Sequence, residues 1–170
     1  MRMNRSSRPG KKFMQPNFEV SGVLAEDQNQ RNGVPLMFSI SPDAGVPEIE
    51  VCDWRLFEFV GDDTPVTHKL RDTSCFLFGC DKRLMDTDSD NGIAFIYLED
   101  ESCSKQHAVI QFRLKGTLIR PYLMDLQSAN GTRLNGERIE SGRYIELLQK
   151  DVIELGRSVS EFVILDAKAS

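Results

Sequence analysis

No apolar run in the 170 residues approaches the roughly 20 that a helix needs to cross a bilayer, so a membrane-spanning role is not expected. The first residues also lack the apolar core of a secretory signal, and secretion is not expected either. Cysteine is sparse: Cys52, Cys75, Cys80 and Cys103 form no C-x-x-C pair, and only two histidines accompany them. That excludes the usual zinc frameworks and points to reduced thiols in the cytosol or nucleus, with Cys52 and Cys75 read as small core residues. There is no Walker-type loop, no dinucleotide fingerprint and no nucleophile-elbow glycine pattern. No cofactor, no metal and no enzymatic activity are therefore expected. A net charge of -5 argues against broad nucleic-acid or membrane binding by the whole chain. The charge is uneven, however: Arg2, Arg5, Arg8, Lys11 and Lys12 all precede the first acidic residue, Glu19. Such a basic leader reads as a solvated tail or as a targeting or RNA-contacting segment.

What is present divides at about residue 48. Residues 1–48 are rich in Asn, Gln, Ser, Pro and Gly, with Pro9, Pro16, Pro35, Pro42 and Pro47 spread through them. Proline removes backbone donors and biases its predecessor to extended geometry, so this part reads as a flexible N-terminal arm without a long helix or central strand. Within it, Phe13, Phe18, Val20, Val23 and Leu24 form an apolar patch that either packs on the chain's own domain or docks into a partner. From residue 49 to 170 the texture changes to short strand-like runs stopped by turn residues: 56–60, 75–78, 93–98, 108–112, 122–126, 152–155 and 162–165. Asn135-Gly136 is a strong hairpin signal, because both central positions of a type I′ turn need positive φ. Strand runs at this spacing, without helical periodicity between them, predict an all-β fold, an antiparallel β-sandwich.

Two rim stretches carry the chemistry. Ser104-Lys105-Gln106-His107 opens the strand beginning at Ala108, and Ser128-Ala129-Asn130-Gly131-Thr132 follows the strand ending at Leu126. Both are expected on loops, where a rigid sheet holds hydroxyl, ammonium and amide groups toward a ligand. Those groups suit binding of a phosphate or a peptide backbone. A hydrolase built from Ser104, His107 and Asp125, or from Cys103 and His107, is disfavoured, since Ser and His three apart at a strand entrance point to opposite faces. A lone His beside apolar residues reads as a satisfied core histidine. The acidic turn Asp86-Thr87-Asp88-Ser89-Asp90-Asn91-Gly92 fails as a calcium loop: its glycine comes one residue late and Tyr97 stands where the bidentate glutamate belongs.

The joint order is more specific than any piece: a strand ending in Gly79, Ser104-x-x-His107, Asn130-Gly131-Thr132, Leu134-Asn135-Gly136, then Asp151-x-Ile153-x-Leu155-Gly156. This order resembles the forkhead-associated (FHA) domain over Cys75 to Leu165. The resemblance implies an FHA-type sandwich of about eleven strands that reads a phosphothreonine peptide. It implies that Ser104 donates to a phosphate oxygen, Lys105 adds a charged contact, and Asn130, aimed by Gly131, bonds the peptide backbone. His107 holds the loop from inside, while Thr132 and Asn135 shape the neighbouring loop. Two departures stand out: Cys80 follows Gly79 where the family carries a phosphate-binding arginine, and Ala129 replaces a frequent threonine. Their loss favours weak binding or a vestigial pocket, because a hydrogen bond to a charged group contributes about 1.5–3 kcal/mol.

Ser102 to Val109, the run Pro16-Asn17-Phe18-Glu19-Val20-Ser21-Gly22, Trp54-Arg55-Leu56 and Arg143 to Leu147 are similar to one FHA subfamily, that of the pre-mRNA leakage and Smad nuclear-interacting proteins. This resemblance implies a nuclear, non-enzymatic adaptor of the pre-mRNA retention and splicing complex, touching RNA at most indirectly. It implies docking through Phe18, Val20, Val23 and Leu24 onto the complex's RNA-recognition-motif subunit, which also holds a third, largely disordered subunit. The alternatives are a structural scaffold, or a phosphothreonine signalling reader unrelated to splicing.

Overall fold

The computed structural model describes residues 29–85 and 92–169. The docking residues Phe18, Val20, Val23 and Leu24, the basic leader, and the acidic turn from Asp86 to Asn91 lie outside them. In chain order the described strands are β1 (Gln30–Arg31), β2 (Val34–Pro35), β3 (Trp54–Val60), β4 (Val66–Lys69), β5 (Cys75–Gly79), β6 (Ile93–Tyr97), β7 (Ala108–Lys115), β8 (Leu118–Asp125), β9 (Thr132–Leu134), β10 (Glu137–Arg138), β11 (Ile145–Glu146), β12 (Val152–Leu155) and β13 (Ser160–Asp166). One short 3₁₀ turn, Lys82–Leu84, is capped by Asp81, whose carboxylate accepts from the Arg83 backbone N–H.

The chain separates into two compact units at Leu36/Met37. In the first, β1 and β2 form a minimal hairpin in which Gln30 pairs with Pro35 and Arg31 with Val34. Its turn residues Asn32 and Gly33 have φ of 54° and 77°, the left-handed values a two-residue hairpin loop requires.

The second unit is a sandwich of a six-stranded sheet, ordered β10-β9-β12-β13-β3-β4, and a five-stranded sheet, ordered β11-β8-β7-β5-β6. Together they match the expected all-β sandwich of about eleven strands. One pairing departs from a purely antiparallel reading: β5 and β6 run parallel, in register from Cys75↔Ile93 to Gly79↔Tyr97. Alternation along the strands puts Phe76, Phe78, Ile110, Phe112, Leu123, Ile153, Leu155, Phe162 and Ile164 into one buried cluster. Edge-to-face contacts join its aromatic rings, with Phe78 and Phe162 centroids 5.4 Å apart and Phe76 and Phe112 5.9 Å apart. At Asn135 and Gly136 the φ angles are 53° and 85°, and the turn joins Leu134 to Glu137 as the hairpin signal predicts.

Residues 37–48, which composition assigns to the arm, belong to the compact unit of the sandwich. The reason is tertiary. Beyond the start of β5, where Cys75 pairs with Gln111, β7 has a free edge, and the chain near Ala44 takes it: Gly45 donates to the Phe112 carbonyl and Leu114 to the Asp43 carbonyl. Side chains of β7 complete the attachment. Gln111 accepts from the Ser41 N–H at 2.9 Å and donates to the Ser39 carbonyl at 3.1 Å. Arg113 forms a two-pronged pair with Asp43 at 2.9 and 3.1 Å, and its guanidinium lies over the Tyr144 and Tyr122 rings. The Arg113 guanidinium and the Ser41 hydroxyl hold the Asp43 carboxyl down at about 2.

Candidate functional site: two loops on one rim

β5, β7 and β8 are adjacent in the five-stranded sheet. Their register carries the end of β5, the loop before β7 and the loop after β8 to a single rim: Phe78 pairs with Ala108, and Ala108 with Asp125. Beyond the ladder the main chains stay joined. His107 N–H donates to the Phe78 carbonyl at 2.7 Å, Leu126 N–H to the His107 carbonyl at 2.9 Å, and Cys80 N–H to the Ser104 carbonyl at 3.1 Å. This close approach explains Gly79. A Cβ there would lie 1.8 Å from the Lys105 carbonyl oxygen, so no other residue fits without parting the two loops.

The His107 ring, fully buried, is the joint between the loops. Its Nδ1 accepts the Ser104 backbone N–H at 3.0 Å, and its Nε2 lies 2.9 Å from the Gly131 carbonyl. An N–H donor on one side and a carbonyl acceptor on the other assign a neutral ring with the proton on Nε2. Burial pushes the His107 pKa below its ordinary value; the Gly131 carbonyl and the Asp125 carboxylate pull the other way without outweighing it.

With the ring fixed, the ligand-side groups converge. Ser104 Oγ accepts the Ala129 N–H at 2.9 Å, and among the described residues no acceptor takes its hydroxyl proton. Asn130 donates through Nδ2 to the Ser102 carbonyl at 2.8 Å, which leaves its carboxamide oxygen and second N–H for a ligand. The Ser102 hydroxyl accepts the Arg157 N–H at 2.8 Å, bringing the β12–β13 turn to the same rim. Ser104, Lys105, Asn130, Cys80 and Ala129 line one groove of about 550 Å³ with Ser102, Cys103, Gln106, Leu126, Gln127, Glu101 and Met37. The Lys105 side chain is exposed.

Asp125, whose only candidate role by sequence is in a disfavoured hydrolase, is buried below this loop. It instead organises the loop. Its carboxylate accepts the hydroxyls of Ser128 and Thr132 at 2.6 Å, the hydroxyl of Ser141 at 2.5 Å and the Ser128 N–H at 3.2 Å. Burial by itself would raise the Asp125 pKa, but the Ser128, Ser141 and Thr132 hydroxyls together bring it below the ordinary carboxylate value. Thr132 thus supports the loop through Asp125. Asn135 sits in the β9–β10 turn, where it donates to Asp151 at 3.0 Å and accepts the Val152 N–H at 2.9 Å.

The imagined nucleophile pairs do not form. It is the Ser104 backbone, not its hydroxyl, that meets His107. Cys103 points inward to the Leu155 carbonyl at 3.5 Å, and burial raises its thiol to about 11, so it stays protonated. At the position where the family carries arginine, the Cys80 thiol donates to the Cys103 carbonyl at 3.2 Å. Nearby, the Arg83 guanidinium pairs with the capping residue Asp81 through bonds of 3.0 and 2.8 Å.

A two-sheet sandwich whose Ser-x-x-His and Asn-Gly loops meet at one rim defines an FHA domain, and residues 76–156 match the FHA domain family model. The chain is 36% identical over 159 residues to Pre-mRNA leakage protein 1 of Saccharomyces cerevisiae, covering 82% of this chain and 78% of that protein. It is 40% identical over 159 residues to mouse Smad nuclear-interacting protein 1, covering 88% of this chain but only 38% of the mouse protein. Among solved structures, the yeast Pml1 splicing factor superposes with a TM-score of 0.66 at 29% identity, covering 78% of this chain and 98% of that one. The chain belongs to the FHA-domain family that includes Pre-mRNA leakage protein 1 and Smad nuclear-interacting protein 1.

Proposed function

We infer that this chain is a non-enzymatic adaptor subunit of a nuclear pre-mRNA retention and splicing complex, with an FHA groove that binds a phosphothreonine peptide. The splicing assignment draws on the relatives: Pml1 is described as a splicing factor integrated into the RES complex, and it shares this fold at 29% identity. The phosphopeptide assignment is carried by one observation, the convergence of a Ser104 hydroxyl proton without an acceptor among the described residues and a half-used Asn130 carboxamide on one groove beside Lys105. A dianionic phosphate binds where several donors converge, and charge-assisted bonds contribute most. In this reading Phe18, Val20, Val23 and Leu24 dock the chain onto an RNA-recognition-motif subunit, which also holds a third, largely disordered subunit, and RNA is touched at most indirectly.

Two experiments test the two halves. Deleting residues 1–30 should abolish co-purification with the RNA-recognition-motif subunit while the β-domain stays folded; retained co-purification refutes the docking half. Titrating phosphothreonine peptides against the chain and a Ser104→Ala, Asn130→Ala variant should show saturable binding that the variant loses. No binding to any such peptide would favour the second reading, a scaffold with a vestigial pocket. The observation behind that reading is Cys80, a neutral thiol tied to the Cys103 carbonyl where the family places its arginine.

A further inference from the structure

One wall of the groove comes from outside the family's own span. Met37 lies far upstream of residues 76–156, yet it lines the groove together with Ser104, Lys105 and Asn130. Its placement is fixed. The Met37 N–H donates at 2.9 Å to Oε1 of Gln106, itself buried and next in the chain to Lys105. One residue on, Phe38 is buried, and three residues beyond that Ser41 is held by Gln111. The bend at Met37 and Phe38 buries Phe38 and leaves Met37 exposed. The result is a methionine left 54% exposed on a backbone tied to the loop before β7.

An exposed methionine on a fixed backbone beside an anion site is suited to recognition. The side chain is unbranched and polarisable, so it adapts to differently shaped apolar partners. Leu126 and Ala129, from the loop after β8, add apolar surface to the same groove. The phosphate-facing groups supply charge recognition that is indifferent to neighbouring side chains, so sequence preference has to come from such a surface.

We propose that Met37 forms an apolar subsite that makes the groove select phosphothreonine peptides carrying an aliphatic or aromatic side chain at one position flanking the phosphoresidue. The proposal rests on the phosphopeptide reading given above and adds to it the residue that sets specificity.

A phosphothreonine peptide library randomised at the flanking positions, applied to the 170-residue chain, tests it. The wild type should enrich Leu, Ile, Met or Phe at one flanking position. Met37→Ala should flatten that enrichment and weaken the selected peptide by about fivefold or more, while the preference for phosphorylated over unphosphorylated peptide persists. Met37→Glu should reverse the preference toward basic residues at that position. Because the side chain is exposed, both variants should melt with the wild type, which a thermal scan checks. Unchanged enrichment in Met37→Ala with phosphate-dependent binding intact overturns the subsite alone. Absence of phosphate-dependent binding in the wild type overturns the phosphopeptide reading and the subsite with it.

Discussion

The imidazole of His107 ties the backbone of Ser104 to that of Gly131, 24 residues further along the chain than the ring itself, through one nitrogen each. Both bonds reach backbone atoms, so His107 sets the distance between the two rim loops without lining the groove. Replacing it with Ala removes one buried and one half-buried hydrogen bond and leaves a cavity, which should destabilise the domain by about 2–4 kcal/mol. A urea melt of His107→Ala measures this, and a change of only a few tenths would refute the coupling.

The same ring makes stability depend on pH in a defined window. Its pKa is lowered in the folded chain, so between the folded value and the unfolded value of about 6.5 the unfolded chain binds more protons. The stabilisation is therefore complete above about pH 6.5 and is lost as pH falls through the folded value. Protonation of Nδ1 would also displace the Ser104 N–H. The urea midpoint of the wild type should drop between pH 7.5 and 5.5, and His107→Gln should remove most of that slope. Equal slopes in the two proteins would show that another group is responsible.

Much of this was legible in the chain, for physical reasons that can be named. β5, β6 and β7 are short apolar runs bounded by turn residues, and Asn135-Gly136 announces a hairpin locally. Ser104, His107 and Asn130 were readable because their order along the chain is rarer than any of them singly. Asn32-Gly33 carries the same turn signal as Asn135-Gly136, but its strands are two residues long and sit among prolines and amides, where alternation has no room to appear. Composition groups residues 37–48 with the arm, because attachments such as Arg113 to Asp43 across 70 positions leave no local trace. The role of Asp125 is hidden in the sequence for a like reason. Its donors Ser128, Thr132 and Ser141 stand three, seven and sixteen residues away and meet only after β8 and β9 have folded.

That carboxylate gives the next test. Asn at position 125 would offer an N–H to hydroxyls that now donate to an oxygen, leaving buried groups mismatched. Asp125→Asn should cost about 2–4 kcal/mol and lower affinity for any ligand of the Ser128–Thr132 loop. Because the Asp125 pKa is lowered, its contribution is present above the unfolded carboxylate value of about 3.9 and is lost as pH falls below it. The variant should therefore lose part of the acid limb of the wild-type stability curve, and an unaltered acid limb would refute this.

Gly79 provides a steric test independent of charge. Its backbone needs no left-handed φ, so the requirement is space alone: the Lys105 carbonyl oxygen occupies the place of a side chain. Gly79→Ala forces the strand end and the binding loop apart and should cost about 1–3 kcal/mol, the range for overpacking. Gly136, in a turn with nothing within 4 Å of a built Cβ, is the natural comparison, since an Ala there suffers only backbone strain. A crystal structure of Gly79→Ala should show the Ser104–Lys105 loop displaced; an unmoved loop would contradict the account.

Cys80 is the position that tests the phosphopeptide reading most directly. Its backbone is fixed by the Ser104 carbonyl, so a side chain placed there starts from the correct loop, and the thiol now spends its proton on the Cys103 carbonyl instead of on the groove. Arginine at this position would bring a planar fork able to pair two phosphate oxygens, which lysine at 105 cannot do. With a charged hydrogen bond contributing about 1.5–3 kcal/mol, Cys80→Arg should tighten binding of a phosphothreonine peptide by about tenfold or more and leave the unphosphorylated peptide unaffected. Calorimetric titration of both peptides reads the difference, and repetition at higher salt should erode the gain as screening weakens a partly exposed pair. If Cys80→Arg binds the phosphorylated peptide no more tightly than wild type, the end of β5 does not face the phosphate, and the family geometry does not carry over to this groove.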